Sequence, residues 1–145
     1  MQNVGDFRHS IDLFARFGDV DMLGHVNNTV YITYVEEARI QYARDVFGWD
    51  GTPSKLGLIV ARIAIDYLLP IYAGQTIRLY TRCTRLGNKS FDLAHLMLRE
   101  DELASKIETT LVAYDAEAEK SHPIPDAFRQ NIIAYEIVPP EGSYS

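Results

Sequence analysis

The period of the hydrophobic pattern changes once along this chain, and that change sets its plan. Over residues 29–47, Tyr31, Tyr34, Val35, Ala38, Tyr42, Val46 and Phe47 recur at three- and four-residue spacing. Glu36, Glu37, Arg39, Arg44 and Asp45 fill most of the gaps, the mark of an amphipathic helix with one buried face. Asn27 and Asn28 are both good N-caps and Gly48 is a natural stop. A helix of roughly 20 residues spans about 30 Å, long enough to form the core of a small domain. From residue 58 onward the period is two. Strands are expected at 58–69, halted by Pro70, and at 76–86, 90–99 and 104–115. In the second of these Ile77, Leu79, Thr81 and Cys83 oppose Arg78, Tyr80, Arg82 and Thr84, so one face is buried and the other wetter. The breaks at 72–75, 87–89 and 100–103 are too short for a parallel crossover of about a dozen residues, so the sheet is antiparallel.

A first strand is expected at 10–17, where Ile11, Leu13, Ala15 and Phe17 alternate with Asp12, Phe14 and Arg16. Residues 48–57 read as loop. Pro125 opens a short terminal helix at 126–133, and the tail with Pro139, Pro140 and Gly142 is expected to fray. Strand, long helix, four strands is an α+β order: a five-stranded antiparallel sheet wrapped around one long helix. A chain of 145 residues makes one such domain, with its core at about 10–133. Such a sheet covers the helix on one side and leaves edges to protect. A homodimer joined edge to edge is therefore expected, alone or paired into a homotetramer.

Composition excludes several classes. The net charge of -6 argues against nucleic acid binding by the whole surface, while leaving room for a local basic patch. No stretch approaches the roughly 18 apolar residues of a membrane helix, and MQNVGDFRHS lacks a signal-peptide core. No membrane association is expected, and the expected location is cytoplasmic. The single cysteine, Cys83, has no internal disulfide partner and no CxxC mate.

The polar residues concentrate at 17–39, FGDVDMLGHVNNTVYITYVEEAR, where two aspartates, a glycine, a histidine and two asparagines run into the helix N-terminus. Free N–H groups and the positive dipole end make that a place for developing negative charge. Asp21 and Asp19 can serve there as turn residues that cap backbone amides; Gly24 permits a sharp turn or a close approach. Asp19, Asp21 and His25 are too few for a metal site, and none is expected. Glu36 and Glu37 fit a solvated helix face, Tyr31 a core position or a pocket border. Lys89 and Ser90 are ordinary hairpin residues, and Arg78, Arg82 and Arg85 either meet phosphates or coat a strand. Cys83 and His95 fit packing positions, and His9 and His122 carry no signal.

The string GDVDMLGHVNN with Tyr31, Glu36 and Arg39 resembles the hotdog-fold acyl-CoA thioesterases of the 4-hydroxybenzoyl-CoA thioesterase type. The likeness continues through DYLLP (66–70), Gly74, RLGNKSF (85–91) and the strand before IPDAFR, covering about residues 10–130. It implies the hotdog fold and hydrolysis of acyl-CoA thioesters, with CoA as part of the substrate and no separate cofactor. Carried over, the catalytic carboxylate falls on Asp21, the carbonyl-polarising N–H near Asn28, and the CoA-holding turn on Lys89 and Ser90. The 4-hydroxybenzoyl enzyme has basic residues where this chain has Gly87 and Asn88. His25 with Asn27 and Asn28 is closer to the fatty-acyl branches, so the acyl group need not be aromatic.

These residues suit that chemistry. Asp21 can act as nucleophile or as base toward water, with His25 orienting it or holding the loop. Gly24 and Tyr31 are placed to border the substrate. The leaving thiol, with a pKa of roughly 8.5, needs no strong acid. Two other readings stand beside it: a hydratase or dehydratase on the same fold, which needs an acid and base on adjacent carbons, and a non-catalytic acyl-binding protein.

Overall fold

Helix α1 (Val30–Phe47) buries Tyr31, Tyr34, Val35, Ala38, Tyr42, Ala43 and Val46 along the stripe that its spacing predicts. It ends at Gly48, whose left-handed φ of 71° costs a glycine little. The structure, a computed structural model, describes residues 3–52 and 57–143; the expected loop at 48–57 thus lies partly outside the described residues.

Around α1 curls an antiparallel sheet of β1 (His9–Phe14), β2 (Leu58–Tyr67), β3 (Thr76–Leu86), β4 (Ser90–Arg99) and β5 (Glu102–Asp115). The strand order is β1-β3-β4-β5-β2, with β6 (Lys120–Ser121) paired to the end of β5. Strands β1 and β2 are the edges. Helix α2 (Asp126–Tyr135) lies against α1, with the rings of Phe47 and Phe128 stacked at 4.5 Å. The expected bounds of β3 and β4 match; β1 starts earlier and stops at Phe14, β2 stops at Tyr67, β5 begins at Glu102, and α2 runs on to Tyr135.

Alternation in β3 sorts as its sequence demands: Ile77, Leu79, Thr81 and Cys83 are fully buried beneath α1. Two polar features interrupt this apolar layer. His95 on β4 is buried between Thr81 Oγ1 (3.0 Å from Nδ1) and Thr109 Oγ1 (3.1 Å from Nε2). Burial drives its pKa down to about 3, with Arg39 and His9 pushing the same way, so the ring is neutral at ordinary pH. Glu136, just past α2, accepts from Tyr42 Oη and the Cys83 N–H, both at 2.6 Å. Burial raises its pKa against those hydrogen bonds.

Two expectations need correction. The tail does not fray over its described part: Glu141 N donates to Thr84 O and Leu86 N donates to Glu141 O, at 2.9 and 2.8 Å. The main-chain groups of β3 beyond the reach of β1 supply this pairing, and Gly142 is needed because a Cβ there would collide with Leu86 O. His9, set aside from the sequence, is buried on β1, with Nε2 2.9 Å from Asp45 on α1.

Candidate active site

The polar run before α1 folds back on itself. A 3-10 turn at Phe17–Asp19 brings Asp19 under the helix, where its Oδ2 accepts from Tyr34 Oη (2.7 Å) and from the Arg16 N–H (3.2 Å). Burial would raise the Asp19 pKa, but the hydrogen bonds from Tyr34 and Arg16 outweigh it and hold the carboxyl below the usual range. Burial, helped by Asp19, pushes the Tyr34 hydroxyl well up. Asp19 O also accepts the Asn27 N–H at 2.9 Å. Asp19 is thus the anchor of the loop.

Above that anchor a tight turn presents Asp21. Val20 pairs with Val26, Asp21 N donates to His25 O (3.0 Å), and Gly24 N donates to Asp21 O (3.1 Å). Gly24 sits at φ 87°, a conformation that other residues rarely adopt. Asp21 Oδ1 accepts the Leu23 N–H at 2.9 Å; among the described residues no donor pairs with Oδ2. The His25 ring meets Tyr72 edge-on at 5.9 Å.

The helix start differs in one respect from expectation. Asn27, not Asn28, does the capping: its Oδ1 accepts from both the N–H and the hydroxyl of Thr29 (2.9 and 2.7 Å), and its carbonyl accepts the Val30 N–H (2.9 Å). The Thr29 amide is thereby taken by the Asn27 side chain, and Thr29 already has helical dihedrals of -73° and -25°. Among the described residues the Asn28 N–H alone of the four from Asn27 to Val30 is left without an acceptor in this turn. The Asn28 carbonyl accepts from Tyr67 Oη at 2.8 Å.

These groups share a cavity of about 360 Å³. Asp21, Leu23, His25, Val26, Asn28 and Tyr31 form one side; Tyr67, Leu68, Leu69 and Pro70, running out of β2, form the other. Tyr31 and Tyr67 meet edge to face at 4.9 Å. The β2 wall was not singled out as site from sequence, although an aromatic followed by Leu-Leu-Pro at a strand end was its visible signal. Gly24 shapes the turn without lining the cavity. Leu23, in its lining, and the neighbouring Met22 are 76% and 102% exposed.

Lys89 and Ser90 lie elsewhere. Lys89 O accepts the Ala113 N–H and Ser90 Oγ accepts from Arg85. Ser90 pairs with Val112, which pairs with Ile59, so the hairpin sits at the Ile59 end of β2, some eight residues or roughly 26 Å from Tyr67. Arg78 and Arg85 are held by Asp12 and Asp92, and Arg82 lies over Phe7. A second cavity, of about 740 Å³, opens at that far end between α1 and the start of β2. Among the described residues no three His, Cys, Asp or Glu side chains cluster to hold a metal, and no helix is long and apolar enough to cross a membrane.

A family model described as the thioesterase-like superfamily matches residues 15–132. The crystal structure of a thioesterase complexed with coenzyme A and Zn from Thermus thermophilus is 34% identical, covers 92% of this chain and 98% of that one, and superposes with a TM-score of 0.84. The long-chain acyl-CoA thioesterase FadM of Escherichia coli (strain K12) is 26% identical over 117 residues, 78% of this chain and 88% of FadM. The uncharacterized protein YsmA of Bacillus subtilis (strain 168) is 31% identical over 82 residues, 57% of this chain. That match spans about half of YsmA's length, 55%.

Proposed function

The chain belongs to the thioesterase-like superfamily, and from that premise we propose that it hydrolyses acyl-CoA thioesters to a free carboxylic acid and CoA, in a cytoplasmic setting. The T. thermophilus thioesterase complexed with coenzyme A and the FadM long-chain acyl-CoA thioesterase support the substrate class. What supports the mechanism is that Asp21, His25 and Asn28 line one cavity, and that the Asn28 N–H has no acceptor among the described residues.

In this reading the thioester carbonyl oxygen sits on the Asn28 N–H, at the positive end of α1, where charge that develops on it is stabilised without reorganisation. Asp21 takes the proton of a water that attacks the carbonyl carbon, or attacks that carbon itself to form a mixed anhydride that water then hydrolyses; in either route the C–S bond breaks and the departing thiolate takes up a proton. Leu23 N–H fixes one Asp21 oxygen and leaves the other for this work. His25 holds the loop by accepting the Asp21 N–H at its carbonyl; Tyr31 borders the substrate, and Gly24 shapes the turn that presents Asp21.

Among the described residues that line it, this cavity has no Lys or Arg to give a hold on the nucleotide end of CoA. Edge strand β2 supplies it in a homodimer. Two-fold antiparallel pairing of β2 with a second copy sets the Leu58 end of one strand beside the Tyr67 end of the other. The second copy's Lys89 and Ser90, far from Asp21 in their own chain, are then carried toward this cavity. Exposed Ile59 and Val60 on β2 fit such an interface.

The test is thiol release across short, long and aromatic acyl-CoAs by wild type and Asp21→Asn. Wild type turns over at least one of them, and Asp21→Asn folds normally but runs at least about a hundredfold slower. Unchanged turnover in the variant would remove Asp21 from the mechanism; a wild type inert on the whole panel would remove the hydrolase.

A further inference from the structure

The second cavity is mostly apolar, walled by Ile40, Phe47, Leu58, Val60 and Leu93, yet one cation reaches into its lining. Arg39 Nη1 is buried with no hydrogen-bond partner. No ion pair or hydrogen bond of the Arg39 guanidinium exists among the described residues, although Glu36 stands one turn before it. Burial lowers the Arg39 pKa, with Glu36 opposing only through space. The other acidic groups of the lining, Asp115 and Glu117, are exposed, and Asp115 Oδ1 is occupied by the Glu117 and Ala118 amides. A half-buried guanidinium with one nitrogen buried and unpaired carries a desolvation cost, and an anionic ligand removes that cost through two parallel hydrogen bonds.

Both cavities border α1 and β2. Ile32, 39% exposed, and then Glu36, Arg39 and Ala43 follow one another up the α1 face that starts at the Asn28 end. From Thr29 to Arg39 the helix rises about 15 Å, the scale of an extended acyl chain.

We propose that Arg39 and the apolar cavity around it bind the far end of an acyl chain that terminates in a carboxylate, which makes ω-carboxyacyl thioesters the preferred substrates. This rests on the thioesterase reading for its reaction. The cavity itself is tested without it.

The first measurement is kcat/KM for dodecanedioyl-CoA against dodecanoyl-CoA, with wild type, Arg39→Lys and Arg39→Leu. Wild type favours the carboxylated chain by about tenfold or more, the worth of a charge-assisted pair. Arg39→Leu loses or reverses that preference through KM, and Arg39→Lys keeps part of it. The second is calorimetric binding of free dodecanedioate and dodecanoate to the Asp21→Asn protein with and without Arg39→Leu. Arg39-dependent binding of the dicarboxylate with no turnover of any thioester supports the cavity and overturns the thioesterase reading alone. Turnover with equal preference in wild type and Arg39→Leu overturns the proposal. So does an equal loss on both thioesters, which would assign Arg39 to a CoA phosphate, and so does a loss of dimer mass in Arg39→Leu with neither diacid nor monoacid bound, which would give the guanidinium to a carboxylate of a second copy.

Discussion

The hydroxyl of Tyr67, on the last residue of edge strand β2, donates a 2.8 Å hydrogen bond to the carbonyl of Asn28, at the entrance to α1. It ties the rim of the sheet to the turn whose next-door amide, that of Asn28, has no acceptor among the described residues. Because that carbonyl precedes the capped Thr29 amide, the Asn28 to Thr29 peptide is held from both sides.

Tyr67→Phe removes the tie and keeps the ring that packs on Tyr31. The bond joins partly exposed groups, so stability should drop by about 1 kcal/mol or less. Thiol release should slow more than that loss explains, by about tenfold in kcat with KM little changed, since a loosened donor stabilises the transition state less than a fixed one. Melting curves beside steady-state kinetics check it; an unchanged kcat would count against a role for the Asn28 amide.

Val60→Lys places a charge on the open edge of β2, a device that discourages strand pairing. Light scattering should report a dimer for wild type and a monomer for the variant, with circular dichroism unchanged. If the second copy completes the site, hydrolysis falls with the dimer. A monomeric wild type that turns over normally would refute the shared site.

The pH dependence of stability should carry the mark of His95. Its folded pKa, pushed down to about 3, lies below the ordinary 6.5, so the unfolded chain takes up the proton first. Stability is therefore complete above 6.5 and is lost as pH falls through the interval toward 3. Glu136, raised by burial, acts in the opposite sense: its contribution is present below 4.5 and lost as pH rises through the raised value. Urea unfolding between about pH 7.5 and 5 should show a net acid loss that becomes steeper in Glu136→Gln and flatter in His95→Leu. The His95 ring should show no titration by NMR over that range.

Local periodicity carried most of the fold. The α1 stripe and the β3 alternation are set by residues a turn or a step apart, so they can be read without knowing what they pack against. The turn around Asp21 was legible for the same reason, because Gly24 and the asparagines act within a few residues of themselves. What escaped the sequence is what depends on distant pairing. Asp19 reads as a simple turn residue, and only the fold brings Tyr34, about two helical turns past Asn27, to donate to it. Tyr67 became part of the site only through the curl that carries β2 back to Asn28, and Lys89 proved remote from Asp21 because β4 begins at the other end of the sheet. His9 and Arg39 carry no local sign of the partner that one has and the other, among the described residues, lacks.

With Asn27 occupying the Thr29 and Val30 amides, the Asn28 N–H is the one amide of residues 27–30 without an acceptor among the described residues, and a peptide N–H belongs to no particular side chain. Half of the proposed catalyst is therefore written in backbone shape. Drift at position 28 can change the letter and spare the function, whereas a change at Asn27 or Gly24, neither of which reacts with anything, would turn that donor away.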